Sequence, residues 1–254
     1  MFFLVNTDKK FIFGWSAKCR CTNIKDIFYF LQTDNLIITD DEYDEYDEKA
    51  KRKIDENVKH DKNYKLPNDI ENYTTIIFIR NPYKRIVSGF IDKYRKNGEF
   101  RCRIPPFGWK NNSFLSFSQF VDDLIIHRWE KIDEHHFTPQ TTENFDEKIL
   151  LSKNIKFYDI CKIDFEYIEQ LLNKKIPESI RNKKYGHERI YEIKDKDSYY
   201  NDYVYDLNID DYIDKNVDIK YFYNQEIKDK VFNFYIKDFN LFKEHGIDYV
   251  NKEV

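Results

Sequence analysis

The sequence predicts an α/β protein with a central parallel β-sheet flanked by helices, and three observations predict it. The chain has 254 residues, enough for one sizeable domain with its own core and above the size at which disulfides or metals must supply stability. A strand-loop-helix pattern occurs twice, over residues 11–31 and again over 74–91. The second of those strands, Thr74–Ile79, is almost continuously apolar, the pattern of a strand covered on both faces. No internal repeat and no Pro/Gly/Ser-rich linker divides the chain, so a single domain over residues 1–254 is expected.

Composition bounds the function classes. Hydrophobic residues make up 41% and aromatic residues 18%, so the core is expected to be built from Phe, Tyr and Ile. Charged residues reach 35% but the formal net charge is only -4, which argues against bulk attraction to nucleic acid or an anionic membrane and makes any anion site local. No stretch approaches the ~20 apolar residues of a membrane span. The opening MFFLV is followed at once by Asn6, Asp8, Lys9 and Lys10, so a soluble, non-secreted and by default cytoplasmic protein is expected. Cys19, Cys21, Cys102 and Cys161 are irregularly spaced, which reads as reduced thiols. A Cys-x-Cys without a second matched pair does not make a zinc site, and no metal is expected.

Taken in order, residues 11–15 (Phe-Ile-Phe-Gly-Trp) read as a short buried strand running into Ser16-Ala17-Lys18-Cys19-Arg20-Cys21-Thr22. Ile24, Ile27, Phe28 and Leu31 then recur at helical spacing. Thr22 or Asn23 is the expected N-cap, so amides and the positive end of the helix dipole converge on the loop, an arrangement suited to an anion. From Asp34 to Asn72 periodicity is lost, and the acidic run over 40–48 followed by the basic run over 49–53 reads as a solvated, partly helical excursion. The strand Thr74–Ile79 ends in Arg80-Asn81-Pro82, and Pro82 suits the first turn of a helix that buries Ile86, Val87, Phe90 and Ile91. Residues 98–115, with Pro105, Pro106 and two glycines, read as a loop or lid, Phe117–Trp129 as a helix, Ile155–Ile160 as a third strand and Phe165–Leu172 as a helix. Residues 177–217 are charged and irregular, a second variable excursion beside the one at 35–72. Ile227, Val231, Phe234, Tyr235, Phe239 and Phe242 place one helix over 224–242.

Two of these segments invite an anion. The first loop resembles a phosphate-binding loop without matching G-x-x-x-x-G-K-[ST], because Lys18 comes early and no Gly precedes it at the required place; by itself it reads equally as an ordinary strand-to-helix turn with a surface lysine. The second segment delivers Arg80 to the C-terminal end of a buried strand, and the next helix presents Arg85 and Ser88 within two turns. Ligands of open parallel sheets bind outside the carboxyl ends of the strands, so two such elements can hold the two ends of one doubly phosphorylated nucleotide. The bland alternative is a surface arginine paired with Asp92 or Glu99, which covers Arg85 better than Arg80.

These residues carry a resemblance. FGWSAKCRCTNIK resembles the 5′-phosphosulfate loop of sulfotransferase family 2, which includes the carbohydrate sulfotransferases, and TTIIFIRNPYKRIVSGFIDKY resembles its 3′-phosphate motif of strand, R-[DN]-P-x-x-R-x-x-S and helix. HHFTPQ is similar to the family's H-[WF]-x-P-Q segment and FNFYIKDFNLF to its Y-x-x-D-F helix. The resemblance implies a P-loop-like nucleotide-binding sulfotransferase fold, 3′-phosphoadenosine 5′-phosphosulfate (PAPS) as donor, and transfer of a sulfuryl group to a hydroxyl, first of all one on a carbohydrate. It implies donor contacts from Ser16, Ala17, Lys18, Cys19, Arg20, Cys21 and Thr22 at the 5′ end, and from Arg80 and Ser88 at the 3′ phosphate. The chain departs from the family pattern at Arg20, where a small residue such as Gly is usual, and at Ala17, where Pro is frequent.

Sulfuryl transfer places a charge-delocalised group between an attacking oxygen and a departing phosphate, so by analogy with phosphoryl transfer it needs positioning and electrostatic stabilisation. Lys18 is the catalytic candidate at the bridging oxygen, with the amides of residues 19–22 around the 5′ end. The sulfuryl group carries less charge than a terminal phosphoryl, and no divalent metal is demanded. A general base must take the acceptor's proton. His136, at the His of the H-[WF]-x-P-Q block, is the candidate and His135 the second, the alternative being that His136 only hydrogen-bonds a neighbour or the acceptor. Tyr43 and Tyr46 among acids look like sites of tyrosine sulfation, but a charge run reads first as exposed surface.

The reading is therefore a PAPS-dependent sulfotransferase. Its rivals are a nucleotide-binding or interaction protein that keeps the fold without turnover, which Arg20 leaves open, and a small-molecule kinase. Against the kinase stands the absence of a Gly-Lys-[Ser/Thr] motif and of a magnesium carboxylate after a strand. The expected partner is a carbohydrate or other hydroxyl-bearing acceptor, with no nucleic acid. No motif identifies the acceptor or the oligomeric state, and acceptor specificity is expected from residues 35–72 and 177–217.

Overall fold

The computed structural model describes residues 1–34, 66–94, 116–126, 136–141, 147–181, 199–212 and 216–250. The expected lid at 98–115, the acidic run at 40–48, Cys102 and His135 lie outside these residues. In chain order the described strands and α-helices are β1 (Phe2–Asn6), β2 (Phe11–Trp15), α1 (Cys21–Thr33), β3 (Thr74–Ile79), α2 (Pro82–Tyr94), α3 (Phe117–Ile126), β4 (Asn154–Asp159), α4 (Phe165–Leu172), α5 (Glu178–Arg181), β5 (Tyr199–Tyr200), β6 (Asn216–Val217), α6 (Gln225–Phe234) and α7 (Ile236–Glu244). They group into two units, Met1–Ile79 with Thr142–Ile190, and Arg80–Thr141 with Tyr191–Val254.

The first unit holds a four-stranded sheet in the order β1-β2-β3-β4. β2, β3 and β4 are parallel, with Trp15 opposite Phe78 and Ile79 opposite Asp159, which is the expected parallel sheet with its third strand starting one residue earlier. β1 is an addition that the sequence reading, which considered this segment only as a leader, did not assign. It pairs antiparallel with β2, Phe2 opposite Trp15, and the hairpin is closed locally. Asn6 Oδ1 accepts the Lys9 amide at 2.7 Å, and Lys10 turns the chain with φ 53°. All five residues of β2 are buried, as a central strand requires.

The core of this unit is aromatic, as the composition predicts. The Phe13 ring meets Phe28 of α1 and Phe78 of β3 edge-on, at centroid distances of 5.7 and 5.3 Å. Ile24, Ile27, Phe28 and Leu31 form the buried stripe of α1. The far end of that helix is neutralised by cations: Lys9 Nζ donates to Leu31 O at 2.6 Å and Lys174 Nζ to Phe30 O at 2.9 Å. α4 has the expected bounds and is capped by Asp164, whose Oδ1 accepts the Tyr167 amide at 2.9 Å. Its buried Glu169 accepts the Ile176 amide at 2.6 Å, Lys175 Nζ at 3.0 Å and Arg181, and these donors hold its carboxyl down to about 2. Arg181 belongs to α5, and Ile180 O there accepts Asn23 Nδ2 at 3.1 Å. Part of the stretch expected to be irregular is thus a short helix that fixes the first turn of α1.

In the second unit α2 starts as expected. Asn81 Oδ1 accepts the Tyr83 amide at 2.9 Å, Pro82 takes the first helical position, and Ile86, Val87 and Phe90 are buried. α3 covers the first ten residues of its expected range, the remainder lying outside the described residues. Phe90, Phe120 and Phe137 pack in series, with centroids 5.1 and 4.9 Å apart. The single C-terminal helix expected over 224–242 is two helices, α6 and α7, separated at Tyr235 (φ -102°, ψ 21°). The interruption accompanies a tertiary bond, since the Tyr235 hydroxyl donates to Phe137 O at 2.7 Å. β5 and β6 are a two-residue parallel pair.

Candidate functional site

The loop between β2 and α1 is made from unusual backbone. Cys19 N–H donates to Ser16 O at 3.1 Å, closing a tight turn, and both Lys18 (φ 66°) and Arg20 (φ 53°) are left-handed. For residues with a Cβ this costs about 1–3 kcal/mol each, and such strain concentrates at functional sites. Left-handed residues alternating around Cys19 are the backbone pattern of an anion nest. The expected capping is corrected: the N-cap of α1 is Arg20, whose side chain makes no cap, rather than Thr22 or Asn23. Buried Asn23 bonds to Ile180 O instead, so the positive end of α1 faces the loop without a side-chain oxygen from its N-cap.

The loop side chains differ in what they can offer. Lys18 is half-buried and Arg20 exposed, while Ala17 is buried. Ser16 is 5% exposed, and its Oγ has no hydrogen-bond partner among the described residues. An orphaned buried hydroxyl at the start of an anion loop fits a phosphosulfate or phosphate oxygen. Cys21 Sγ lies 3.5 Å from Ser16 O. Cys19 departs from expectation: its thiol is in the core and its amide is engaged by Ser16, so of the amides 19–22 this one already has an acceptor. Arg20 occupies a conformation that glycine adopts without strain, which gives the physical meaning of its departure from a small residue.

The second unit contains the other expected contacts. Arg80 is the first residue past β3 and is half-buried, and Ser88 on α2 is also half-buried. Arg80 N–H donates to Gln140 Oε1 at 3.1 Å, and Gln140 Nε2 donates back to Arg80 O at 2.9 Å. Arg85 is only 1% exposed and its Nη1 donates to Thr138 O at 2.7 Å, so it is a buried residue and not a surface arginine. Asp238 is fully buried and accepts three bonds, from the Gln140 amide (2.7 Å), the Thr141 amide (2.8 Å) and Thr141 Oγ1 (2.6 Å). Burial pushes its carboxyl above the ordinary range, against the pull of these donors and of the Arg85 charge. Residues 136–141 are therefore gripped at Phe137, Thr138, Gln140 and Thr141, with half-buried His136 at their start.

The model of the sulfotransferase family matches residues 2–243. The chain belongs to the sulfotransferase family. No curated protein and no solved structure matches it. Its sheet of four mostly parallel strands with flanking helices is the expected α/β sulfotransferase fold. Sulfotransferases of this family generally take the sulfuryl group from PAPS, and the family points to a hydroxyl-bearing acceptor. Among the described residues, no helix is long and apolar enough to cross a membrane.

In this family member the loop residues 16–22 stand in the first unit, and Arg80, Ser88 and His136 in the second. Four residues inside the quoted motifs, Arg85, Gln140, Tyr235 and Asp238, organise these segments, a role the motifs by themselves did not reveal. For Asp238 a further signal was available, because it lies on the same helical stripe as Tyr235, Phe239 and Phe242, and a carboxylate on a buried face needs partners.

Gly89 shows how closely α2 meets the gripped segment: a Cβ there would stand 2.6 Å from Phe137 Cε1. Gly89→Ala should therefore destabilise the protein by roughly 1–3 kcal/mol, the usual cost of overpacking. Calorimetry would show a lowered Tm, and Phe137→Leu in the same chain should recover part of it. An unchanged Tm in Gly89→Ala would mean that α2 is not seated against Phe137.

Proposed function

We propose that this sulfotransferase transfers a sulfuryl group from PAPS to a hydroxyl, with a carbohydrate hydroxyl as the acceptor. The observation that carries the donor assignment is the loop Ser16–Arg20, where two left-handed residues, an uncapped helix start and an orphaned buried hydroxyl occur together. These features suit a bound anion better than an ordinary turn with a surface lysine. Bound PAPS supplies an activated sulfuryl group on a mixed phosphate anhydride. The chain supplies the rest: Lys18 brings an ammonium to the bridging oxygen, the loop and the first turn of α1 orient the 5′ end, and Arg80 with Ser88 holds the 3′ phosphate. His136 takes the acceptor's proton. The formal net charge of -4 is no obstacle, because these cations act locally.

The test of the donor assignment compares two nucleotides. Adenosine 3′,5′-bisphosphate should raise the Tm, as any ligand that binds only the folded state does, while 5′-AMP should do so poorly. Arg80→Ala should weaken the bisphosphate roughly 10- to 100-fold, the loss of one charge-assisted contact, and abolish most of the difference between the two. Equal protection by both nucleotides would remove the assignment. Transfer of labelled sulfate to a panel of glycans separates an active enzyme from a protein that binds the nucleotide without turnover, and transfer to none of them would favour the latter.

A further inference from the structure

Gln140 lies outside the donor and proton-transfer contacts assigned above, yet it meets Arg80 in a way that few side chains can. β3 ends at Ile79, whose carbonyl is still bonded to the Ile160 amide at 2.9 Å, and Arg80 is the next residue. Both backbone groups of Arg80 are taken by one primary amide, the N–H by Oε1 at 3.1 Å and the C=O by Nε2 at 2.9 Å. A carboxamide presents one donor and one acceptor in a plane, so it substitutes for the peptide group of a neighbouring strand. Gln140 is itself fully buried, and its backbone N–H donates to Asp238 Oδ2 at 2.7 Å. The direction in which the Arg80 side chain leaves the strand is thereby set by a residue four positions after His136 on the gripped segment.

We propose that Gln140 is a positioning residue for the 3′-phosphate contact, with Asp238 anchoring it, so that Arg80 and the His136 segment are aligned as one piece. The inference rests on the donor reading above. Removing the paired bonds leaves Arg80 its charge but frees its backbone to rotate, so the loss falls on recognition of the 3′ phosphate and not on the rest of the nucleotide.

The experiment measures Kd for adenosine 3′,5′-bisphosphate and for 5′-AMP by titration calorimetry in four proteins: wild type, Gln140→Met, Gln140→Glu and Ile227→Ala. Ile227 is a buried residue of α6, and its truncation is a control for loss of stability alone. In Gln140→Met the preference for the bisphosphate should fall by about tenfold or more, with 5′-AMP affinity within about twofold of wild type. Gln140→Glu should lose the preference at about pH 8 and regain it, relative to wild type, towards about pH 5, because a protonated carboxyl again offers a donor and an acceptor in one plane. Should the Met variant not fold, the Glu variant decides. Wild-type preference retained in the Gln140 variants, or lost equally in Ile227→Ala, overturns the positioning role alone. A wild-type protein with no preference for the 3′ phosphate overturns the donor reading itself.

Discussion

Replacing Lys18 with alanine should lower the rate of sulfuryl transfer by about 10²–10³-fold, the usual loss when one donor to a developing oxyanion is removed, while weakening nucleotide binding far less. The reason is that negative charge grows on the bridging oxygen only as the sulfur–oxygen bond breaks, so the ammonium interacts more strongly with the transition state than with the bound donor. Lys18 is held at φ 66° in a turn closed by Cys19 and Ser16. The two effects separate when Kd for adenosine 3′,5′-bisphosphate is measured beside single-turnover rates at saturating donor. Collapse of binding with a normal rate for the residual bound donor would make Lys18 a binding residue only.

Removing the imidazole of His136 should lower the rate by about 10²–10⁴-fold, the contribution of a positioned acid or base, and should erase the acid limb of the pH–rate profile. A base must be neutral to accept a proton, so in the wild type activity falls as the pH is lowered. The surrounding segment should survive the substitution, because Phe137, Thr138, Gln140 and Thr141 are held by bonds to Tyr235, Arg85 and Asp238. His135→Ala should do much less, since His136 is the residue at the motif's histidine position. Similar small losses in both variants, or an acid limb that persists in His136→Ala, would place the base elsewhere.

The elements most legible in the sequence are those with strong local periodicity. Phe11–Trp15, Thr74–Ile79 and Phe165–Leu172 have the expected bounds, because an apolar run or a helical stripe is decided by neighbours within a few positions. Pro82 after Asn81 was readable for the same reason: a fixed φ and a local cap determine a helix start. β1 was not readable, since five apolar residues at a terminus become a strand only when β2 offers an edge. The N-cap of α1 misled because Asn23, a good capping residue by propensity, found a partner at Ile180, 157 positions away. Arg85 misled in the same sense, as an arginine on a helix reads as surface until the carbonyl of Thr138 is seen beside it.

By itself the sequence determined the family, the parallel strands and the segments that carry the candidate chemistry, because each of these is written in a contiguous stretch of residue types. The tertiary structure alone decided how those segments are held. The Gln140–Asp238 bond spans 98 positions and the Arg80–Gln140 pair 60, and no local pattern encodes either. A buried carboxylate and a buried guanidinium are tolerated only where desolvation is offset by converging donors and acceptors, and such convergence exists only after the chain has folded. The left-handed backbone at Lys18 and Arg20 belongs to the same class: side-chain propensity opposes it, and the closed turn between β2 and α1 imposes it.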